Sequence, residues 1–415
     1  MYIIPFGKSS IKFSVPENLE VDVILPHPTT AKTNILEHLE RCFANPLDEL
    51  DMHSLNTKSR IGIAINDTTR PVPNSVLIPP LLQYLEQKGA QRKNIVFFIA
   101  TGTHKHVRKE HFFQLLPAWL INEYEIIIHD CDDQENLVFL GRTSRDTPVY
   151  INKRFFQMNA KIVIGNIEPH HYMGYSGGAK SAAIGLAGRE TIDKNHSLLM
   201  DPLSFIGNYA SNPTRQDMEE IGDKIGITAA LNVILNSEKE IVSAFWGSPR
   251  SVMQAGIETS KQVCQKKIEK KYDLIIASPG GYPKDVNFYQ AQKAITHVNL
   301  IAEKQGSIIL AAECREGLGN QQFENYLMNF SSFSDVVTHF KKVKFEVGPH
   351  KAYQLALQAI QNRIILVSDI QSTIVKKTML ESFSTIQPAI NEVFHSTSNI
   401  SRVAIVPYST NTVLY

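Results

Sequence analysis

Residues 160–180 read AKIVIGNIEPHHYMGYSGGAK, an apolar run typical of a buried strand that leads into two histidines, several glycines and a lysine. The same order occurs twice earlier, where RIGIAI at 60–65 and NIVFFIAT at 94–101 each lead into a polar loop. A helical pattern, SVLIPPLLQYLEQKGA, separates those two runs. Strand, polar loop, helix and strand in alternation favour a parallel sheet with helices on both faces. We therefore predict an α/β fold with mostly parallel, Rossmann-like sheets, in which ligands gather beyond the carboxyl ends of the strands.

A second alternation of strands and helices begins at YDLIIASPGG, residues 272–281. It continues through a helix predicted near 289–303 and the strand-like runs SIILAAE and RIILVSD. Because 415 residues exceed what one hydrophobic core usually supports, we predict an N-terminal domain over 1–267 and a C-terminal domain over 268–391, with the active site in the cleft between them. The last apolar run, RVAIVPYS, lies in a tail (392–415) that either completes the second sheet or returns to the first domain.

The composition is that of an ordinary globular protein, with 43% hydrophobic residues, 20% charged residues and a formal net charge of +1. This balance offers no global field that would attract nucleic acid or an anionic membrane. No apolar run approaches the roughly 18 residues of a membrane helix, and the first residues do not resemble a signal peptide. We therefore expect a cytoplasmic protein whose four cysteines form no disulfides: Cys42, Cys131, Cys264 and Cys314.

Two polar loops follow the first two predicted strands. Asp67-Thr68-Thr69-Arg70-Pro71 has the composition of a helix-capping turn, in which proline suits the first helical position. That structural role does not require Arg70, whose planar guanidinium matches a carboxylate or a phosphate. His104, taken alone, is a hydrogen-bonded residue of the loop Thr101-Gly102-Thr103-His104. Because this loop shares a sheet edge with the other polar clusters, we predict that His104 is a general base.

The segment from Gly174 to Ser181 nearly matches the phosphate-binding loop G-x-x-x-x-G-K-[ST], with Ala179 in place of the last glycine. A true loop of that type follows its strand directly, whereas Glu168 to Met173 intervene here. The turn and Lys180 still predict a phosphate or nucleophile site, whose glycines make room for the ligand. A phosphate-binding hydrolase or transferase that uses this turn is therefore one alternative function.

Two later segments also carry candidate ligand-binding side chains. His196 ends a segment with a helical pattern, and imidazole is the commonest protein ligand for borderline metals such as nickel and zinc. Tyr289, Gln290 and Lys293 share one face of the predicted helix, where a phenol, an amide and an ammonium would bind a small oxygenated anion. A helix cap at His196 and a solvated helix face at 289–293 are the purely structural alternatives.

Taken together, these clusters resemble the nickel-dependent lactate racemases and the related 2-hydroxyacid racemases and epimerases. The matching pieces occur in the family's order and with similar separations. The resemblance spans nearly the whole chain, and five ordered motifs are far more specific than any one of them. They are DTTRP at 67–71, TGTH at 101–104, EPHHYMGYSGGAK at 168–180, NH at 195–196 and GGYPKDVNFYQAQK at 280–293.

The resemblance implies a covalently tethered cofactor. Members of the family carry a nickel pincer nucleotide, a pyridinium-3-thioamide-5-thiocarboxylate mononucleotide that binds Ni(II). By matching positions, Lys180 would form the thioamide tether and His196 would ligate the nickel. The cofactor would be held by the loop residues Asp67, Thr68, Thr69 and Arg70.

The resemblance also implies the acid–base groups and the substrate contacts. His104 and His170 would be the two acid/base residues, with His171 as the fallback for His170. Transfer of the C2 hydrogen as a hydride to the pyridinium avoids a poorly stabilised carbanion, while the two histidines move the hydroxyl proton. The residues expected to contact the substrate are Arg70, Tyr289, Gln290 and Lys293.

The expected reaction is therefore racemisation or epimerisation of a lactate-like 2-hydroxyacid, a small molecule, with no nucleic-acid or membrane partner. One departure leaves room for a substrate other than lactate. The family usually has Pro-Gly in the segment after the lysine, whereas Ile184 precedes Gly185 here. Beside the hydrolase or transferase, a non-catalytic protein that binds hydroxyacids or nucleotides is the remaining alternative.

Overall fold

The computed structural model describes residues 1–52, 55–68, 70, 72–104, 108–343, 345–346 and 348–414. The chain divides into two compact units. The central unit comprises Pro28–Val263, and the terminal unit comprises Met1–His27 together with Cys264–Tyr415. Within the described ranges, no helix is both long enough and apolar enough to cross a membrane.

Strands and helices alternate along most of the chain, as predicted. In the described part of the chain the strands are β1 (Tyr2–Phe6), β2 (Ser9–Phe13), β3 (Glu20–Val23), β4 (Ile61–Asn66), β5 (Ile95–Ala100), β6 (Glu125–Ile128), β7 (Leu137–Arg142), β8 (Pro148–Asn152), β9 (Ala160–Asn166), β10 (Pro169–His170), β11 (Gly174–Tyr175), β12 (Ala229–Leu235), β13 (Ile241–Gly247), β14 (Gln265–Lys266), β15 (Tyr272–Ala277), β16 (Ala302–Ala311), β17 (Arg363–Val367), β18 (Glu381–Phe383), β19 (Arg402–Val406) and β20 (Val413–Leu414). The α-helices are α1 (Ile35–Ala44), α2 (Asn74–Gln87), α3 (Phe112–Leu115), α4 (Ala118–Glu123), α5 (Lys153–Phe156), α6 (Lys180–Ala183), α7 (Arg189–Ser197), α8 (Pro213–Ile225), α9 (Pro249–Cys264), α10 (Phe288–Ala291), α11 (Lys293–Val298), α12 (Gln321–Met328), α13 (Phe333–Phe340), α14 (Pro349–Gln361), α15 (Ser372–Val375) and α16 (Ile386–Ser396).

A six-stranded sheet forms the middle of the central unit, in the order β13-β12-β9-β4-β5-β6. All neighbouring strands run parallel except β13, which pairs antiparallel with β12 at the edge. The runs that form β4, β5 and β9 are buried along nearly their whole length, because both faces of the sheet are covered. The carboxyl ends of these three strands therefore lie side by side, at Asn66, Ala100 and Asn166.

The terminal unit contains a second six-stranded sheet, in the order β18-β17-β16-β15-β19-β3, and every pair in it is parallel. Successive residues of its strands enter opposite apolar cores. Ile275 of β15 belongs to one buried cluster, whereas Leu274 and Ile276 belong to the other. This period of two is what a sheet covered on both faces requires. The two α/β units with mostly parallel sheets confirm the predicted fold class.

The N-terminal residues belong to a different unit from the one predicted. The first 27 residues do not belong with the central unit, because Glu20–Val23 pairs in parallel with Arg402–Ile405 of β19. The hairpin β1–β2 also contributes Ile4 and Phe13 to an apolar core of the terminal unit. The tail completes the second sheet, since β19 lies between β15 and β3. The predicted boundary at 267 is close to the observed one after Val263.

The helix predicted near 289–303 is interrupted. Two short helices replace it, α10 and α11, and β16 already begins at Ala302. Gln292 joins them with helical dihedrals (φ −59°, ψ −17°), so the chain keeps its direction of winding across the break. Its side chain makes no capping hydrogen bond at the start of α11.

Candidate active site

A histidine–carboxylate pair lies at the carboxyl ends of β4 and β5. The Nδ1 atom of His104 is 2.7 Å from Oδ2 of Asp67. Asp67 is buried, 3% exposed, whereas the His104 side chain is 43% exposed. Because an ionised carboxylate only accepts hydrogen bonds, Nδ1 of His104 carries a hydrogen, and this N–H donates a hydrogen bond to Asp67. The neutral ring therefore offers Nε2 as a proton acceptor, the arrangement expected of a general base.

Arg70, which was predicted to bind a substrate carboxylate, forms an ion pair with a side chain of the protein. Its Nη1 is 3.4 Å from Oε1 of Glu168, and the two side chains are 29% and 32% exposed. This pair connects the loop after β4 with the residues that follow β9. Thr68 is exposed in the same loop. Thr69 and Pro71, also predicted from the DTTRP motif, lie outside the described residues.

The segment that carries Lys180 is attached to these strand ends by hydrogen bonds. The Ser181 hydroxyl lies 2.9 Å from Oδ1 of Asn66 and 3.1 Å from the carbonyl oxygen of Ile164. The amide of Gly102, in the His104 loop, donates to the carbonyl of Gly185 at 3.0 Å. The loops after β4, β5 and β9 are therefore one connected structure, as the parallel order of their strands predicts.

His170 lies on a short hairpin, with two residues in each strand, that the sequence pattern did not predict. Strands β10 and β11 pair antiparallel, with His170 opposite Gly174. The rings of His170 and His171 stack at 4.6 Å between centroids, and both side chains are nearly buried. The Met173 amide donates to Nδ1 of His170 at 3.3 Å, so the neutral ring carries its proton on Nε2. His170 and His104 therefore have opposite tautomers, one with a proton to donate at Nε2 and the other with a lone pair there.

His196 and Lys180 come together at the end of α7 and the start of α6. Burial lowers the pKa of His196 to about 3, and the positive charge of Lys180 contributes to the same shift. The imidazole is therefore neutral at physiological pH, which is the form that ligates a metal. Tyr172 connects this ring to the histidine pair, with its own ring 5.4 Å from that of His196 and 4.7 Å from that of His170.

A buried ion pair on α8 holds the turn before Lys180. Arg215 and Glu219 are 0% and 1% exposed, and Nε of Arg215 donates to Oε1 of Glu219 at 2.8 Å. The same guanidinium donates to the carbonyl of Tyr175 at 2.9 Å and to that of Gly177 at 3.2 Å. The four-residue spacing of an arginine and a glutamate in TRQDMEE was the available sequence signal for this pair. Its contact with the turn, however, spans about 40 residues of chain.

The glycines of the turn pack against the protein itself, which corrects the expectation that they make room for a ligand. A Cβ on Gly177 would lie 2.7 Å from Oδ1 of Asn232, and a Cβ on Gly178 would lie 2.6 Å from Cγ of Met253. The amide of Gly178 donates to Oδ1 of Asn232 at 2.6 Å. That amide is therefore committed to a side chain, unlike the ligand-facing amides of a phosphate-binding loop.

Three of the four predicted substrate-binding residues, Tyr289, Gln290 and Lys293, belong to the terminal unit. Nζ of Lys293 donates to Oε1 of Gln290 at 2.7 Å, so these two side chains do share a face. Burial raises the pKa of the Tyr289 phenol, which therefore stays protonated. Lys351 of α14 was missed because it lies 62 residues from Tyr289. Its Nζ donates to the Tyr289 carbonyl at 2.7 Å and lies 4.1 Å from the centre of the ring.

Two family models match the chain, one in each half of the sequence. The lactate racemase N-terminal domain matches residues 6–207, and the lactate racemase C-terminal domain matches residues 267–414. Together these two matches include the predicted site residues from Asp67 to His196 and those of α10 and α11, whereas Arg215 and Glu219 lie between the two matched ranges.

Relatives and solved structures agree with the family models. A lactate racemase of Thermoanaerobacterium thermosaccharolyticum is 28% identical over 413 residues, 97% of this chain and 96% of the relative. A lactate racemase of Lactiplantibacillus plantarum is 26% identical over 413 residues, 97% of each chain. The solved lactate racemase apoprotein of T. thermosaccharolyticum matches with a TM-score of 0.92 at 26% identity, over 100% of this chain and 99% of that one. A solved protein of Thermotoga maritima, with a TM-score of 0.66 at 18% identity over 94% of this chain and 100% of that one, shares the fold alone.

The buried ion pair gives a first testable prediction. Glu219→Gln leaves the buried guanidinium of Arg215 without its counter-charge, so the free energy of unfolding should fall by about 3 kcal/mol in urea denaturation. Asp223→Asn is the matched control on the same helix, because Asp223 pairs with Arg250 where both side chains are about half exposed. That control should change the free energy by less than about 0.5 kcal/mol. Similar losses in both variants would contradict the role given to the buried pair.

Gly174, the first residue of β11 in the hairpin, gives a second prediction. Gly174 has a φ of 73°, and a Cβ there would lie 1.9 Å from the carbonyl oxygen of Asn208. Gly226 has nearly the same φ, 69°, with no atom within 4 Å of such a Cβ. Gly226→Ala should therefore cost only the backbone penalty of about 1–2 kcal/mol. Gly174→Ala should cost about 1–3 kcal/mol more, measured by the same denaturation, because of the overlap. Equal costs would mean that the hairpin does not need this close approach.

Proposed function

The chain belongs to the lactate racemase family, and from this premise we propose that it is an isomerase that interconverts the two configurations at C2 of a 2-hydroxyacid. The observation that carries the proposal is the pair of opposite histidine tautomers, His104 with an acceptor at Nε2 and His170 with a donor at Nε2. Inversion of a hydroxyl-bearing centre needs one group to take the hydroxyl proton and another to return it. A binding protein would not need that complementarity.

The proposed cofactor is a nickel pincer nucleotide tethered to Lys180. The residues present fit such a group, because Lys180 is only partly buried and begins a helix beside the neutral imidazole of His196. In this proposal Lys180 forms the covalent tether and His196 ligates the nickel. The loop residues that hold it are Asp67, Thr68, Thr69 and Arg70. When bound, the cofactor supplies a hydride acceptor, which lets C2 become trigonal without a carbanion.

The two histidines have distinct proton tasks in the proposed reaction. His104 accepts the substrate hydroxyl proton at Nε2, while Asp67 stabilises the imidazolium through Nδ1. His170 donates its Nε2 proton to the oxygen when the opposite configuration forms. In the reverse direction the roles exchange, as microscopic reversibility requires. Burial of His170 keeps bulk water from competing for these protons.

Four side chains are proposed to bind and orient the substrate. Arg70 binds the carboxylate, with Glu168 fixing the direction of its guanidinium. Lys293 and Gln290, hydrogen-bonded to one another, supply a positive and a polar contact, and the protonated Tyr289 phenol donates a hydrogen bond.

The hydrolase or transferase alternative has less support. It needs backbone amides of the glycine-rich turn to cradle a phosphate. The Gly178 amide instead donates to Asn232, and the carbonyls of the turn accept from Arg215. The polar groups of the turn are thus bonded to other parts of the protein, an arrangement that would hold Lys180 in a constant position.

The tether gives a third prediction, tested on protein produced in cells that make the cofactor. Intact-mass analysis should show one covalent adduct on the chain, with about one nickel per adduct by elemental analysis. Lys180→Arg should remove the adduct while Lys194→Arg, on the neighbouring helix α7, should keep it. An adduct that persists in Lys180→Arg would overturn the assignment of the tether.

The acid–base roles give a fourth prediction. His104→Gln and His170→Gln should each lower kcat by at least about 100-fold with the Lys180 adduct intact, because each removes one proton-transfer group. His111→Gln, near the same loop but without a proposed role, is the control. Chiral analysis should follow both directions for lactate, malate, longer aliphatic and aromatic hydroxyacids and aldonates. Normal turnover in either site variant would refute the two-histidine scheme. A holo-protein that binds one of these acids without inverting any would support the non-catalytic alternative.

A further inference from the structure

Asn195 is completely buried beside His196, and the direction of its amide is determined by its surroundings. The amide nitrogen lies 3.0 Å from the carbonyl oxygen of Thr214 and 2.8 Å from Oδ2 of Asp217. A carbonyl and a carboxylate accept hydrogen bonds, so both positions require the NH₂ end of the amide. The oxygen end then faces the ring of His196, with Oδ1 at 3.3 Å from Nδ1.

Asp217, which anchors this amide, is itself fully buried and surrounded by donors. Thr143 Oγ1 donates to Oδ1 at 2.5 Å, and Thr147 Oγ1 donates to Oδ2 at 2.9 Å. The Thr143 hydroxyl oxygen accepts the amides of Arg145 and Thr147, which leaves its hydrogen for Asp217. The carboxylate therefore accepts three hydrogen bonds. A buried carboxylate satisfied in this way is a rigid reference point for the side chains that it contacts.

We propose that Asp217 and Asn195 are positioning residues that hold the proton of the neutral His196 ring on Nδ1 and so present Nε2 as its metal-binding nitrogen. The amide oxygen of Asn195 can only accept, so the facing ring nitrogen must donate. Metal-ligating histidines characteristically donate their second ring nitrogen to a carboxylate, carbonyl or water. Here the carboxylate acts through an amide. The metal-binding role of Nε2 rests on the function proposed above, whereas the tautomer is a property of the chain alone.

The arrangement also fixes the plane of the ring. Asn195 and His196 are consecutive on α7, and Asp217 lies on α8, two residues after Arg215. Tyr172 meets the His196 ring at an interplanar angle of 67°. Rotation of the ring about its χ2 angle would lose the Nδ1 bond. The two helices thus set both the protonated nitrogen and the direction of the other one.

The tautomer can be measured on full-length apo-protein labelled with ¹⁵N. Long-range ¹H–¹⁵N correlation at neutral pH, assigned with His196→Gln, should show His196 protonated on Nδ1. Asn195→Ala should move the ring toward the Nε2-protonated form that free histidine prefers in water. Ser197→Ala, which alters the other neighbour of His196, should leave the tautomer unchanged. If Asn195→Ala does not fold, Asp217→Asn is the second variant, and it should give a mixture because its amide no longer fixes the direction of Asn195.

A second measurement follows nickel in the holo-protein. In a chelator challenge, Asn195→Ala should lose nickel about 10- to 100-fold faster than the wild type, with the Lys180 adduct unchanged by mass. The proposal is overturned if wild-type His196 is protonated on Nε2, or if neither Asn195→Ala nor Asp217→Asn shifts the tautomer. If wild-type His196 is protonated on Nδ1 but the His196→Gln holo-protein keeps its nickel, the positioning role of Asn195 and Asp217 stands. That result would instead refute the metal assignment in the proposed function.

Discussion

The buried guanidinium of Arg215 is the interaction on which the site of the central unit depends. It donates to Glu219 and to the carbonyls of Tyr175 and Gly177, all within the protein interior. Burying this charge is costly, and the cost is offset only because the planar fork finds an acceptor in each direction. An apolar replacement would fill the space but could not hold two carbonyls of the turn. The ion pair therefore fixes the path of the chain immediately before Lys180.

Helix α8 is the common support of the features around this turn. Arg215 and Glu219 face the glycine-rich turn, and Asp217 faces the amide of Asn195 beside His196. Asn212 caps the start of the helix, since its side chain accepts from the amide of Arg215, and Gly226 caps its end in the left-handed region. A rigid element that supports both Lys180 and His196 keeps their separation constant, which a tethered and metal-ligated group would require.

Three histidines of the central unit each have a neighbour that selects the protonated nitrogen. The partner is a carboxylate for His104, a backbone amide for His170 and a side-chain amide for His196. The parallel order β9-β4-β5 places the three polar loops at one edge, while the apolar strands beneath them form the core. Packing thus supplies the rigidity that the polar groups need, and the polar groups decide the proton positions.

The sequence alone was enough to predict the α/β alternation, the strands β4, β5 and β9, and the polar segments that carry Asp67, His104, His170, Lys180 and His196, because hydrophobic period and turn chemistry are local properties. Tertiary structure decided the rest. Only strand pairing could assign residues 20–23 to the second sheet beside β19. Likewise, three hydrogen bonds join residues that are 37 to 62 positions apart along the chain. They are His104 to Asp67, Arg215 to Gly177 and Lys351 to Tyr289. Such contacts depend on which elements become neighbours in space, and the spacing of residues along the chain does not contain that information.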